Sequence, residues 1–144
     1  MPELYDRREL LAFRVDMRPI GKQRPIVTRN HGAFTPPKTV QAERRIAWTA
    51  RAAMRGKQPT SLPVGVTITA CFALPKTASK KDRETLPGTF RDKKPDLDNI
   101  EKLVNDALNG VVWLDDKQVV SQTSRKIYGT DDYLAVIVEE YRYN

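Results

Sequence analysis

The sequence has 144 residues, of which 40% are hydrophobic and 30% are charged. This length and composition suit one core of ordinary size, so we expect a single domain over residues 1–144. No stretch is apolar over the length that a membrane span requires, and residues 1–6 are acidic where a secretory leader would be basic. These features argue against a membrane protein and favour a cytoplasmic or nucleoid-associated one with no membrane partner.

The formal net charge of +7 predicts an anionic partner, and the basic residues are clustered. Residues 18–29 hold four basic side chains and no acid, and residues 76–94 hold seven against three acids. Such segregation is typical of a surface that contacts phosphates, although a solvated basic surface is the alternative. The candidate nucleic-acid contacts are Lys22, Arg24, Arg29, Lys76, Lys80, Lys81, Arg83, Lys93 and Lys94. The single cysteine, Cys71, excludes an internal disulfide.

The first half of the chain predicts two strands and one helix. Alternating apolar residues indicate a half-buried strand at 11–17 that ends before Pro19. The basic stretch at about 18–37 has no periodicity and is predicted to be a loop. Apolar residues at helical spacing then predict an amphipathic helix over 40–54 with a basic face. Unbroken alternation predicts a central strand at 64–74.

The second half predicts one helix and two strands. A second basic loop at about 76–95 contains a possible helical turn at 79–84. One apolar stripe predicts a helix over 98–109. Strands are predicted at 119–128 and 133–141, joined as a hairpin. The fold class is therefore α+β, with a mixed, mostly antiparallel sheet of about four strands and two main helices packed on it.

Two carboxylates meet at the start of the second helix. Asp98 precedes the apolar stripe and Glu101 follows three residues later, which predicts that Asp98 is the N-cap of a capping box. Asp96, in an extended stretch after Pro95, is expected to point the same way. Because neighbouring carboxylates repel each other, the pair calls for a cation, and Mg²⁺ prefers such hard oxygen ligands, with Mn²⁺ as a possible substitute.

A lysine and a more distant aspartate complete the candidate site. Lys102 lies one helical turn after Asp98 and is expected to balance charge on a phosphate. Asp106 is expected to be its ion-pair partner, with a role as fourth metal ligand as the lesser alternative. The third acid would come from the pair Asp115-Asp116, beneath which Trp113 is expected to anchor the chain in the core, with stacking on a DNA base as the alternative. A helix of twelve residues measures ~18 Å and seven extended residues reach ~23 Å, so an intrachain return is feasible but stretched. Supply of Asp116 by a neighbouring subunit stays open.

Residues 94–120, KPDLDNIEKLVNDALNGVVWLDDKQVV, resemble the signature of the RusA family of Holliday junction resolvases, the crossover junction endodeoxyribonucleases. In that signature an Asp-x-Asp-Asn pair opens a helix, a lysine follows one turn later, and Trp-Leu-Asp-Asp-x-Gln closes the site. Residues 21–25, Gly-Lys-Gln-Arg-Pro, are similar to the basic amino-terminal loop of the family. The resemblance extends from about residue 11 to the end of the chain.

The resemblance implies a catalytic set of Asp96, Asp98, Lys102 and Asp116. The three aspartates would be metal ligands and the lysine would act electrostatically; the choice of Asp116 over Asp115 rests on the resemblance alone. It also implies a homodimer that cuts four-way junction DNA by paired, Mg²⁺-dependent hydrolysis in recombination and repair. Such a protein would be cytoplasmic, either nucleoid-associated or phage-encoded in a bacterial host.

Two other functions fit the residues alone. The acids could cap a helix and a turn in a non-catalytic protein that binds structured nucleic acid through its basic loops. Alternatively, the site could belong to a metal-dependent nuclease that acts on flaps or RNA. His31, the only histidine, lies in a turn-like Asn-His-Gly sequence and is expected to be solvated rather than catalytic.

Overall fold

A computed structural model describes residues 4–143 and contains three helices and two sheets. The elements in chain order are strands β1 (Tyr5–Val15), β2 (Ile26–Thr28) and β3 (Gly32–Phe34), helix α1 (Pro37–Met54), strand β4 (Val64–Ala73), helices α2 (Lys80–Thr85) and α3 (Leu97–Leu108), and strands β5 (Val119–Gly129) and β6 (Tyr133–Tyr143). The predicted α+β class is confirmed, and so is the short helical turn in the second basic loop, which is α2.

The main sheet has the strand order β1-β6-β4-β5. Its β1–β6 and β6–β4 pairs are antiparallel and its β4–β5 pair is parallel, so the expected mixed, mostly antiparallel sheet is confirmed. The predicted β5–β6 hairpin is wrong, because β4 lies between these two strands. The connection at 129–132 instead wraps around the end of β4, where Asp132 Oδ1 accepts a hydrogen bond from the Ala73 amide at 2.7 Å.

The amino-terminal basic loop contains structure that the sequence pattern did not predict. Residues 26–34 form the β2–β3 hairpin, and Gly32 adopts a positive φ of 69° in it. Helix α1 begins at Pro37, three residues before the predicted start, because proline suits the first position of a helix, where no amide donor is needed. The strands were missed because three residues are too few to show a period.

The two long helices pack on one side of the sheet. Helix α1 contacts β1, α3 contacts β5, and the helices contact each other. The predicted apolar stripe of α3 is confirmed, since all five of its residues are buried: Ile100, Leu103, Val104, Ala107 and Leu108. These side chains join the buried residues of β1, β4 and β6 in one core cluster. Within residues 4–143, no helix combines the length and apolarity that crossing a membrane requires.

One buried carboxylate ties the sheet to the chain between α1 and β4. The side chain of Glu140 is 5% exposed and accepts hydrogen bonds from Arg8 Nη2 at 2.5 Å and from Thr60 Oγ at 2.9 Å. Burial alone would raise the pKa of Glu140, but the bonds from Arg8 and Thr60 outweigh it and hold this pKa below its ordinary value of 4.5.

We expect Glu140→Gln to lower the free energy of unfolding by about 1–2 kcal/mol at neutral pH, because a charge-assisted bond to Arg8 is lost. The depressed pKa means that the stabilisation is present above about pH 4.5 and disappears as the pH falls through the folded-state pKa. Urea unfolding of both proteins across this range should show the two stabilities converging in acid. The matched control is Glu139→Gln, which removes only a partly exposed 3.9 Å pair with Arg7 and should change stability by less than ~0.5 kcal/mol.

Candidate active site

Immediately before α3, the chain runs along the outer edge of β5. Residues 88–91 run antiparallel to the end of β5, with the Arg91 amide donating to the Lys126 carbonyl at 3.0 Å. The Lys126 ammonium then donates to the carbonyls of Lys93 and Pro95 at 2.7 and 2.9 Å. These bonds fix the backbone immediately before Asp96, so the first carboxylate projects from a braced segment rather than from a free loop.

Helix α3 begins one residue earlier than predicted, and its N-cap is Asp96, not Asp98. Asp98 lies in the first turn, where the helix dipole favours a negative charge. The predicted capping box is also wrong, because the Glu101 carboxylate accepts a hydrogen bond from Ser124 Oγ of β5 at 2.8 Å. The Asp96 side chain makes no capping bond, and neither aspartate forms an ion pair within residues 4–143. Both exposed carboxylates are therefore available to a ligand.

Asp96 and Asp98 line one open pocket with Lys102, the residue predicted to lie on the same helix face. Four further basic residues line the pocket: Lys22, Arg24, Lys38 and Lys94. The sequence predicted three of them as phosphate contacts and missed Lys38. Lys38 was missed because its helix was predicted to start two residues after it. Two carboxylates surrounded by cations suit a metal ion together with the phosphates of a nucleic acid.

The loop at residues 19–25 forms one wall of this pocket and packs on the first turn of α3. The Lys22 amide donates to the Asn99 carbonyl at 2.9 Å. A Cβ at Gly21 would lie only 2.9 Å from Cβ of Asn99, so glycine is required for this close approach. The loop and the carboxylate-bearing turn are thus in direct contact.

The Lys22 ammonium lies between two carboxylates, 2.7 Å from Glu43 of α1 and 2.5 Å from Asp106 of α3. Partial burial opposes its charge, but the bonds to Asp106 and Glu43 outweigh burial and raise the pKa of Lys22. The predicted Lys102–Asp106 ion pair is wrong, because Asp106 pairs with Lys22 instead. Lys102 is exposed and has no ion-pair partner within residues 4–143.

Asp116 is held at the other end of α3. Trp113 is fully buried, as predicted, and its indole N–H donates to Asp116 Oδ1 at 3.1 Å. The neighbouring Asp115 is the N-cap of a short 3-10 turn, Asp116–Gln118, in which Gln118 completes a capping box. Asp115 therefore caps the 3-10 turn, whereas Asp116 is exposed beside the buried tryptophan.

The structure does not bring Asp116 to the pocket of its own chain. Asp96 lies at the start of α3 and Asp116 lies beyond its end, and the helix is ~18 Å long. Strand β5 gives the same picture. It begins at Val119, close to Asp116, and reaches Lys126, which is bonded to Pro95, only after seven residues or ~23 Å. Over the described part of the chain, no three acidic, histidine or cysteine side chains are grouped closely enough to hold a metal ion. The intrachain return that the sequence permits is therefore not adopted.

The remaining candidate nucleic-acid contacts lie outside the pocket. Five of them are exposed on the β2–β3 turn or on the segment around α2: Arg29, Lys76, Lys80, Lys81 and Lys93. Arg83 differs, because its guanidinium donates to the carbonyls of Pro75 and Lys76 at 3.3 and 2.9 Å and so braces its own loop.

Comparisons with known proteins identify the family of the chain. Residues 16–139 match the family described as Endodeoxyribonuclease RusA. The chain is also 28% identical over 138 residues to a protein of Bacillus subtilis (strain 168) named Uncharacterized protein YqaN, an alignment that covers 92% of this chain and 97% of that relative. The family match includes the hairpin, α1, the pocket and the Trp113–Asp116 turn. The chain belongs to the RusA family of endodeoxyribonucleases.

Proposed function

We propose that this protein resolves four-way DNA junctions by paired, metal-dependent phosphodiester hydrolysis, as a homodimer acting in recombination and repair. The observation that carries the proposal is the pairing of Asp96 and Asp98 in a pocket whose lining includes five basic side chains, while the third acid of the lining, Asp106, is bound to Lys22. A binding surface for phosphates alone would gain nothing from two exposed carboxylates, because they repel the same anion that the lysines attract. Carboxylates and cations together suit cleavage.

The side chains present fit a magnesium ion, with manganese as a substitute. Magnesium is usually held by one or two carboxylates, keeps several waters and accepts a substrate phosphate oxygen, and Asp96 and Asp98 supply two carboxylates that have no other ion-pair partner within residues 4–143. When bound, the ion would supply an activated water and would neutralise charge on the phosphate.

The basic residues of the pocket would have separate roles in cleavage and in phosphate binding. Lys102 projects from the turn after Asp98 and would stabilise the charge that develops on the oxygen leaving the phosphorus. Arg24 and Lys94, which both line the pocket, would bind the flanking phosphates and fix the position of the scissile one. Lys22 would contribute less direct contact, since its ammonium is already bonded to the carboxylates of Glu43 and Asp106.

A homodimer would also explain the position of Asp116. Its carboxylate is exposed, oriented by a buried indole, and far from the pocket of its own chain. In a two-fold dimer, each subunit presents the same surface to the other, so one contact can bring Asp116 of each chain to the pocket of its partner. Two such composite sites would make the paired cuts that a two-fold junction requires.

The proposal is tested by incubating the full chain with a synthetic four-way junction, a linear duplex, a flap and an RNA duplex, each with and without Mg²⁺. We expect Mg²⁺-dependent, symmetrical cutting of the junction and little cutting of the rest. Tight junction binding without any cutting would favour a non-catalytic binder instead. Equal or better cutting of flaps or RNA would indicate a nuclease of another specificity.

Junction binding should survive removal of Mg²⁺ and weaken steeply with salt, because Lys and Arg contacts to phosphate supply the affinity. We expect Lys80→Gln/Lys81→Gln to lower the slope of log affinity against log salt by about 2, with little change in melting temperature, since both side chains are exposed. Titrations at several salt concentrations measure the slope. The control, Arg125→Gln/Arg142→Gln, removes the same charge from the sheet and should leave the slope near its parental value.

A further inference from the structure

The outward face of α1 carries one exposed tryptophan within a row of arginines. Trp48 is 72% exposed, whereas the other tryptophan of the chain, Trp113, is fully buried. At 100° per residue, Arg44 and Arg51 lie within about 60° of the direction of Trp48, and both are exposed. Arg55, at the C-cap that follows α1, is exposed as well. Large aromatic residues are mostly buried in monomeric proteins, so an exposed one among cations requires a reason.

This surface, which we call the α1 stripe (Arg44, Trp48, Arg51 and Arg55), is uniformly positive. The only acid of α1 is Glu43, which points to the opposite side and is bound to Lys22. None of the three arginines has an ion-pair partner within residues 4–143. The helix dipole accounts for Arg51 in the last turn, but no ion pair within residues 4–143 accounts for Arg44 beside the exposed Trp48, and this combination suits an anionic partner.

The α1 stripe runs away from the catalytic pocket. At the amino-terminal end of α1, Lys38 lines the pocket and Thr39 accepts a hydrogen bond from the Gln23 amide of the pocket loop. At the other end, Lys57 lies beside the Leu10 carbonyl of β1. Helix α1 has 18 residues and is about 27 Å long, which equals about eight base pairs of duplex at 3.4 Å each.

We propose that the α1 stripe is a second DNA-binding surface that holds a duplex arm of the junction as the arm leaves the pocket. The arginines contact successive phosphates, and the Trp48 indole packs against the sugar-phosphate edge between them. Charge complementarity favours DNA over a protein partner, because the stripe offers cations with no balancing acid. This inference rests on the proposed function and adds to it a surface outside the residues assigned to the pocket and basic loops.

The two tryptophans give a direct test that needs no cleavage. Acrylamide quenches exposed indoles, so in the free protein it should quench Trp48 and spare buried Trp113. We expect a four-way junction, added without divalent metal, to protect the quenchable component. A Trp48→Phe protein supplies the reference signal of Trp113 alone. Unchanged quenching of Trp48 in the saturated complex would overturn the proposal.

The arginines are tested by Arg44→Gln/Arg51→Gln/Arg55→Gln against a control, Arg7→Gln/Arg125→Gln/Arg142→Gln, that removes equal charge from the sheet strands. The α1 variant should lower the salt slope of junction binding by about 2.7, at 0.9 for each lost phosphate contact, and the control by much less. Trimming the junction arms below about eight base pairs should weaken binding by the parent and leave binding by the α1 variant nearly unchanged. Equal slopes for the two variants would overturn the proposal.

Three possible results show how this inference and the proposed function stand relative to each other. If the parent cuts junctions while Trp48 stays fully quenchable in the complex, only the α1 stripe fails. If the parent does not bind DNA, both fail. If Trp48 is already protected in the DNA-free protein, and Trp48→Ala changes the molecular mass from dimer to monomer, the stripe is an interface between copies and the proposal is overturned.

Discussion

Asp98→Asn is expected to lower the rate of junction cleavage by roughly a hundredfold or more, because a neutral amide is a much poorer ligand for Mg²⁺ than a carboxylate. The fold should tolerate the change, since Asp98 makes no ion pair within residues 4–143 and is not the helix cap. Only its favourable position in the first turn of α3 is lost, at a cost of at most ~1 kcal/mol. Junction affinity without metal should be equal or higher, since an anion is removed from a phosphate-binding pocket.

The measurement is a single-turnover cleavage rate at saturating protein, together with the metal-free dissociation constant and the unfolding free energy. Asp92→Asn is the matched control, because it removes the same charge from an exposed position four residues before the site. That control should cut at close to the parental rate. Near-parental cleavage by Asp98→Asn would remove the carboxylate-metal mechanism for this residue.

Mixing two inactive proteins, Asp98→Asn and Asp116→Asn, is expected to restore cleavage. If Asp116 enters the pocket of the partner, a mixed dimer has one site that carries both substitutions and one site that carries neither. After random subunit exchange, about half of the dimers are mixed, so about one quarter of all sites become intact. The restored activity should consist of single nicks, because each mixed dimer has only one working site.

The outcome of this mixing separates the two arrangements that the sequence leaves open. If Asp116 acted within its own chain, every site in a mixed dimer would keep one substitution, and the mixture would stay inactive. Asp115→Asn is the control for the adjacent position: asparagine also caps a helical turn, so this protein should fold and cut without complementation. A nick assay on a labelled junction, with each protein alone and after exchange, gives the result.

Most of the fold could be predicted because its signals are local. The alternation in β4 and the apolar stripe of α3 depend only on neighbouring residues, and the structure buries both as the pattern indicated. The β5–β6 hairpin failed for a non-local reason. The turn at 129–132 specifies a reversal of direction, but nothing near it in sequence indicates that β4 occupies the place between the two strands.

Errors at the candidate site have the same origin. The Asp-x-x-Glu spacing at Asp98 satisfied the local capping rule, yet Glu101 bonds to Ser124, which lies 23 residues away. Asp106 lies one helical turn from Lys102, but in the structure it accepts a hydrogen bond from Lys22, which is 84 residues earlier in the chain. Tertiary partners overrode helical neighbours in both cases. The length of the segment after α3 gave only the maximum distance over which Asp116 could return toward Asp96. In the structure the buried Trp113 holds Asp116 at a much shorter distance from the end of α3.

The Lys22 contact with Glu43 and Asp106 has a consequence for biosynthesis. A chain that has emerged from the ribosome only through α1 already holds Lys22 and Glu43, but the loop has neither Asp106 nor the Asn99 carbonyl to pack against. The wall that faces the carboxylates is therefore completed only after α3 has been made and has docked on α1. Asp96 and Asp98 belong to the start of that same helix, so both the carboxylates of the pocket and the contacts that hold its wall form only at this late stage of synthesis.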